Sequence, residues 1–246
     1  MENNSGTPVI LFDLGDTLIF FNGNWQDVLR RSTKRLWKSL LKAGFPLDYE
    51  EFSKDFSKRM EKYYIGRNKD FVEYTSARVL SDYLFDLGYS KIPNHLIVNA
   101  MNAMYSVSQE FWHLEEDTVP ILNWLKRNNF RIGLISNASD TNDVYSLLNQ
   151  FDLTNFFEHI VISAEFGLRK PHKDIFFHCL DLFDSTPQSC SMVGDRMDMD
   201  ILGAKNAGIS SIWITRRSIH KEVKKRFDFE PDYEISSLRE LKEILC

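Results

Sequence analysis

The strongest constraint on the fold is a set of short apolar runs, several of them bounded by Gly, Asp or Asn, separated by helix-like stretches. The runs are Val9–Phe12, Phe130–Ile135, His159–Ser163, Ser191–Val193 and Ser211–Thr215, with a weaker one at Tyr233–Ile235. Continuous apolar runs of this length suit strands covered on both faces. From residue 120 onward they alternate with amphipathic segments at Val119–Asn128, Thr141–Gln150, Lys173–Asp181 and Asp200–Ala207. Strand–helix alternation predicts βαβ units and a doubly wound parallel sheet, an α/β fold. Such a sheet binds its ligands at the carboxyl ends of the strands.

Between the first and second runs the pattern changes. Phe52, Phe56, Met60 and Tyr63 recur every three or four residues, and Val28, Leu29, Trp37, Leu40 and Leu41 would line one helix, with breaks at Gly44–Pro46, Gly88 and Pro93. The period is helical. Residues 22–118 are therefore expected to form an all-helical insert, leaving 1–21 and 119–246 as a discontinuous core. The first half of the insert is basic: from Asn24 to Lys69, twelve Lys or Arg face six acids in a chain whose net charge is -5. Two readings stay open, solvated helix faces or a basic lid that attracts an anionic substrate.

Composition narrows the setting. A chain of 246 residues, 43% hydrophobic, is long enough to bury a core without staples. The net charge of -5 argues against a dedicated nucleic-acid binder. No apolar run approaches the roughly 20 residues of a membrane span. The polar N-terminus is unlike a secretory signal. Cys179, Cys190 and Cys246 are odd in number and lack metal-binding spacing, so a cytoplasmic, reduced setting is expected.

The strand ends carry the chemistry. The first run leads into Asp13, in FDLGDTL at 12–18, and the fourth into Gly194-Asp195 with Asp198 and Asp200 close behind. If those strands are neighbours, the carboxylates of Asp13 and Asp195 converge, and their repulsion calls for a cation or a proton between them. All-oxygen ligation suits Mg²⁺. The remaining strand ends offer Ser136-Asn137 and Arg169-Lys170-Pro171. Hydroxyl, lysine, carboxylates and metal together form a phosphoryl-transfer constellation. Asp198 is read as an acid opening a helix, His172 as a solvent-facing loop residue, and Gly208 as a helix C-cap. The tryptophans are assigned to packing, with Trp25 and Trp112 within possible reach of the site.

Taken in order, FDLGDTL at 12–18, GLISNAS at 133–139, GLRKPHKDIF at 167–176 and VGDRMDMDILGAKNAGI at 193–209 resemble the four motifs of the haloacid dehalogenase superfamily. The insert resembles the helical cap of its phosphatase-containing branch. The resemblance implies a Rossmann-like core under a helical cap, and Mg²⁺-dependent hydrolysis of a small phosphorylated metabolite. It implies Asp13 as the nucleophile that forms an aspartyl-phosphate. Ser136 and Asn137 would hold the phosphate, and Lys170 would neutralise its charge. The metal would lie on Asp13, Asp195 and the main-chain carbonyl of Gly15, with Thr17 and Asp200 supporting from behind. The expected state is a monomer or homodimer. One departure stands out: phosphatases of the family carry a second Asp, an acid–base group, where this chain has Gly15. Two alternatives follow from it, a 2-haloacid dehalogenase, or a catalytically weak binding or regulatory protein on the same fold.

Overall fold

The computed structural model describes residues 7–217 and 227–245. Six parallel strands form the main sheet: β1 (Val9–Phe12), β4 (Arg131–Ser136), β5 (His159–Ile162), β6 (Cys190–Gly194), β7 (Ser210–Ile214) and β8 (Tyr233–Ile235), in the order β5-β4-β1-β6-β7-β8. The missing numbers belong to a separate antiparallel pair, β2 (Ile19–Phe21) and β3 (Trp112–Leu114). Every residue of β1 is buried. One apolar cluster covers the face that holds Ile10 and Phe12, and another the face that holds Val9 and Leu11. This is why β1 reads as an unbroken apolar run. The central position of β1, between β4 and β6, puts Asp13, Ser136 and Asp195 side by side at one sheet edge.

Four helices occupy the insert: α1 (Trp25–Lys42), α2 (Tyr49–Asp70), α3 (Ser76–Asp86) and α4 (Asn94–Gln109). They pack around a core of their own, with Leu36, Leu40, Phe52, Phe56, Leu80, Leu84 and Met101 at its centre. Side chains of Asn24, Asp48 and Thr75 cap the first three helices by accepting a backbone N–H three residues on. The expected breaks at Gly44–Pro46, Gly88 and Pro93 fall between helices. The insert is not wholly helical, however. Strand β3 lies inside it and pairs with β2, with Phe21 opposite Trp112. Three-residue strands are too short for a period of two to register.

In the core, α5 (Thr118–Arg127), α6 (Thr141–Gln150), α7 (Ser163–Phe166), α8 (Lys173–Leu182) and α9 (Leu202–Ala207) connect the strands. Ser163 begins α7 and does not end β5. The helix expected from Asp200 begins as a π-helical turn, Met197–Ile201, before α9. Gly208 closes α9 with φ 71°. Cys246 lies outside the described residues. Among the described residues no helix is long and apolar enough to cross a membrane.

Candidate active site

At the carboxyl edge of the sheet, the charges expected from the sequence meet. Lys170, almost wholly buried, donates from Nζ to Asp13 Oδ1 at 2.6 Å and to the Ile135 carbonyl at 2.7 Å. The same ammonium pairs with Asp200 Oδ1 at 2.6 Å. Burial alone would lower the Lys170 pKa, but the charges of Asp13 and Asp200 outweigh it and raise the net value. Asp200 also accepts the Arg196 backbone N–H on Oδ2 at 2.9 Å. That approach requires glycine at 194, because a Cβ there would stand 2.3 Å from Asp200 Cγ. The Trp213 indole N–H donates to the Asp195 carbonyl at 2.8 Å and fixes that turn.

Asp13, Asp195 and Asp200 bring one carboxylate oxygen each to within 4.8 Å of one another. Burial pushes Asp195 up to about 9, reinforced by the charges of Asp200, Asp13 and Asp16. Burial likewise raises Asp200 to about 6, against the opposing pull of Lys170. Burial and mutual repulsion both oppose full ionisation of this cluster. Its donors are all hard oxygens, the ligand chemistry of Mg²⁺, so the residues present fit that ion.

The remaining expected residues divide. Ser136, at the end of β4, is buried and lines the same cavity as Asp13, Asn137, Lys170 and Asp195. Asn137, expected on the phosphate, lines the cavity and also holds the Lys170 backbone with both ends of its side-chain amide. Oδ1 accepts from Lys170 N at 2.8 Å and Nδ2 donates to Lys170 O at 3.0 Å. Thr17 is fully buried, and its hydroxyl has no hydrogen-bond partner among the described residues. Gly15 lies on the cavity wall with the Trp112 ring over it: a Cβ at 15 would meet Trp112 Cη2 at 3.3 Å. Asp16 follows in the left-handed region, φ 54°, and burial raises its carboxyl while a hydrogen bond from the Phe21 backbone opposes the shift. Asp198 pairs with Arg196 at 2.6 Å, and His172 caps α8 by accepting the Asp174 N–H.

The cavity is about 550 Å³ and runs from this cluster to the underside of the insert, where Trp25, Leu29, Tyr64 and Tyr105 line it. Of the twelve basic residues between 24 and 69, Arg67 alone lines it. Several of the others form exposed ion pairs, such as Arg30–Asp27 at 2.7 Å and Arg59–Asp86 at 2.8 Å. Arg31, Lys34, Arg35 and Lys38 line a separate surface depression. The basic stretch is therefore mainly solvated helix surface.

Sequence reasoning missed a second buried network. Glu73, in the loop after α2, has a fully buried carboxylate. It accepts from the Tyr63 hydroxyl, from Arg67 at 3.2 Å and from Ser163 Oγ at 2.9 Å, and pairs with Arg169 at 3.4 Å. Backbone bonds reinforce it: Glu73 N donates to Gly167 O and Arg169 N to Phe71 O, both at 2.9 Å. The insert is thus clasped to the segment that delivers Lys170. A single acid in a polar loop gives no sequence signal for this role.

A family profile described as "haloacid dehalogenase-like hydrolase" matches residues 7–208. The chain belongs to the haloacid dehalogenase-like hydrolases. Among curated members of this family, it is 31% identical over 237 residues to glyceraldehyde 3-phosphate phosphatase of Methanocaldococcus jannaschii, covering 96% of each chain. It is 29% identical over 242 residues to the enzyme of that name from Pyrococcus furiosus, covering 96% of this chain and 92% of the other. Pyrimidine 5′-nucleotidase YjjG of Escherichia coli matches 52% of this chain at 36% identity, over 55% of its own length. Among solved structures, a 2-haloacid dehalogenase from Pseudomonas syringae superposes with a TM-score of 0.70 at 21% identity, covering 97% of this chain and 98% of the other, a likeness of fold. As a member of the haloacid dehalogenase-like hydrolases with full-length phosphatase relatives, the chain is a hydrolase of the phosphoric monoester class.

Proposed function

We propose that this hydrolase is a Mg²⁺-dependent phosphatase of small phosphate monoesters that works through an aspartyl-phosphate on Asp13. The observation that carries the reading is the convergence of Asp13, Asp195 and Asp200, the first and last of them paired with the buried ammonium of Lys170. Asp13, Asp195 and the Gly15 carbonyl would hold Mg²⁺, which when bound offsets the carboxylate charge and that of the phosphoryl oxygens. An Asp13 carboxylate oxygen attacks phosphorus as the ester P–O bond breaks and the alcohol oxygen leaves. Water then attacks the same phosphorus, releasing phosphate and restoring the carboxylate. Ser136 donates to a phosphoryl oxygen, and Lys170 neutralises the charge that develops there. Asp200 and Asn137 keep Lys170 in place, one through its ammonium and the other through its backbone.

The gap at Gly15 removes the group that protonates the departing oxygen. General acid–base help is typically worth 10²–10⁴-fold, so esters of acidic alcohols should turn over fastest. Residues 22–118 act as a cap that shields the cavity from bulk water and selects the alcohol. The buried free thiols of Cys179 and Cys190 support the cytoplasmic placement. Acid quenching during turnover, followed by peptide mass analysis, should find a phosphoryl group on the peptide that carries Asp13; a phosphorylated Ser136 instead would overturn the mechanism. The absent acid at position 15 also favours a second reading, carbon–halogen hydrolysis by the same carboxylate. Halide release from a 2-haloacid in EDTA would establish it.

A further inference from the structure

Away from the reaction centre, the cavity holds a carboxylate that the proposed chemistry leaves unused. Asp143 sits in the first turn of α6, where its backbone N–H bonds the N-cap Asp140 at 3.0 Å. Its side chain reaches toward the insert, and Oδ1 accepts from Gln109 Nε2, at the end of α4, at 2.8 Å. Asp143 lines the cavity, and among the described residues no Lys, Arg or His forms an ion pair with it. Burial pushes it up to about 7, with Asp140 adding to the shift and Gln109 opposing it. An acid at the third helical position is often satisfied by the helix terminus, but here an inter-element bond turns it into the cavity.

The neighbouring walls are aromatic. Trp25 is 49% exposed and Leu29 52% exposed, and both face this cavity. Trp25 is held flat by stacking on Phe21 at 3.8 Å and 10°. Trp112, edge-on to the same Phe21 at 5.5 Å, lies above Gly15. At about 550 Å³ the space is in the range of pockets that enclose whole ligands, ample for an alcohol larger than a three-carbon chain. The cavity's cap-side cation, Arg67, is tied to Glu73, as is Arg169 beside Lys170.

Resting on the phosphatase reading above, we propose that Asp143, oriented by Gln109, selects the alcohol half of the substrate. The class it selects is an uncharged ring that carries a hydroxyl or N–H donor and lies against Trp25 and Trp112. The donor bonds the Asp143 oxygen left over by Gln109, while an alcohol bearing its own carboxylate is repelled.

The test compares kcat/KM at pH 8, where Asp143 is mainly ionised, for four esters: phenyl phosphate (a ring without a donor), a hexopyranose 6-phosphate, a ribonucleoside 5′-monophosphate, and 3-phosphoglycerate. Wild type should prefer at least one donor-bearing ring to phenyl phosphate and to 3-phosphoglycerate. Asp143→Leu should cut the preference over phenyl phosphate about tenfold or more, the scale of a hydrogen bond to a charged group. Asp143→Asn, nearly isosteric, should relieve the discrimination against 3-phosphoglycerate. Ratios within twofold of wild type in both variants, or a wild-type preference for 3-phosphoglycerate, would overturn the proposal. Calorimetric binding of the hexopyranose 6-phosphate and of the ribonucleoside 5′-monophosphate to Asp13→Asn, with and without Asp143→Leu, separates the two readings on whichever binds tighter. A tenfold weaker affinity supports selection by Asp143 even if no ester is hydrolysed, whereas equal affinity refutes it even if turnover is brisk.

Discussion

At the strand ends three carboxylates, Asp13, Asp195 and Asp200, converge, two of them on the ammonium of Lys170; where the insert meets the core, one carboxylate, Glu73, is shared by two guanidiniums, Arg67 and Arg169. Both networks are buried and both border the same cavity. The first is short of positive charge, and burial with mutual repulsion raises Asp195 to about 9. The second has its acid saturated by donors from α2, from α7 and from the segment before Lys170. An imbalance of the first kind would be relieved by a bound cation, and we read the network as a site on that ground. Saturation of the second kind needs nothing further, so the network is a clasp. Burial of charge alone does not separate the two roles, because each is costly without its partners.

The largest effect should come from breaking the acidic network at Lys170, which pairs with two of its carboxylates. Lys170→Met should reduce kcat by about 10³-fold, in the range of losing one group that stabilises transition-state charge. It should also destabilise the fold by about 3–5 kcal/mol, read by urea unfolding, and Mg²⁺ should recover part of that loss. Glu73→Ala should cost a similar 3–5 kcal/mol by leaving two buried guanidiniums uncompensated. Here Mg²⁺ should restore nothing. Equal recovery in both variants would erase the distinction between site and clasp.

The two networks also differ in how far the sequence revealed them. The acidic one was legible because each member ends a strand or follows one closely, and parallel strand order brings strand ends together however the insert folds. The buried run Val9–Phe12 points directly at Asp13. Glu73 had no such frame. Its partners are 10 residues back at Tyr63 and 90 onward at Ser163, and only the docked insert brings them together. Asn137 was read as a strand-end residue with a place on the phosphate, but sequence does not show that its amide also holds the backbone of Lys170. The Trp112 ring over Gly15 was equally hidden, because β3 is too short to leave a periodic trace.

That ring gives the next prediction. Gly15→Asp alone should change activity on alkyl esters by less than about threefold, because the new side chain must push Trp112 aside. Combined with Trp112→Ala it should gain about tenfold or more, part of the range of general acid catalysis. A full gain from Gly15→Asp alone would mean that the ring yields freely.

The smallest effect concerns Asp143. Its folded value near 7 lies above the ordinary 3.8, so the native state keeps a proton that the unfolded chain has released. This contribution to stability is complete below pH 4 and is lost as the pH rises toward 7. Asp143→Asn should flatten that decline in a series of urea midpoints, and an unchanged slope would mean that the carboxyl titrates normally.

The central claim is that the acid surplus at the strand ends exists to work with a divalent cation and to present Asp13 as the nucleophile. The most direct measurement is phosphate release from p-nitrophenyl phosphate by wild type and Asp13→Asn, each with Mg²⁺ and with EDTA. The account predicts turnover in wild type with Mg²⁺ and none in the other three conditions. Activity that survives EDTA, or that survives in Asp13→Asn, would contradict it.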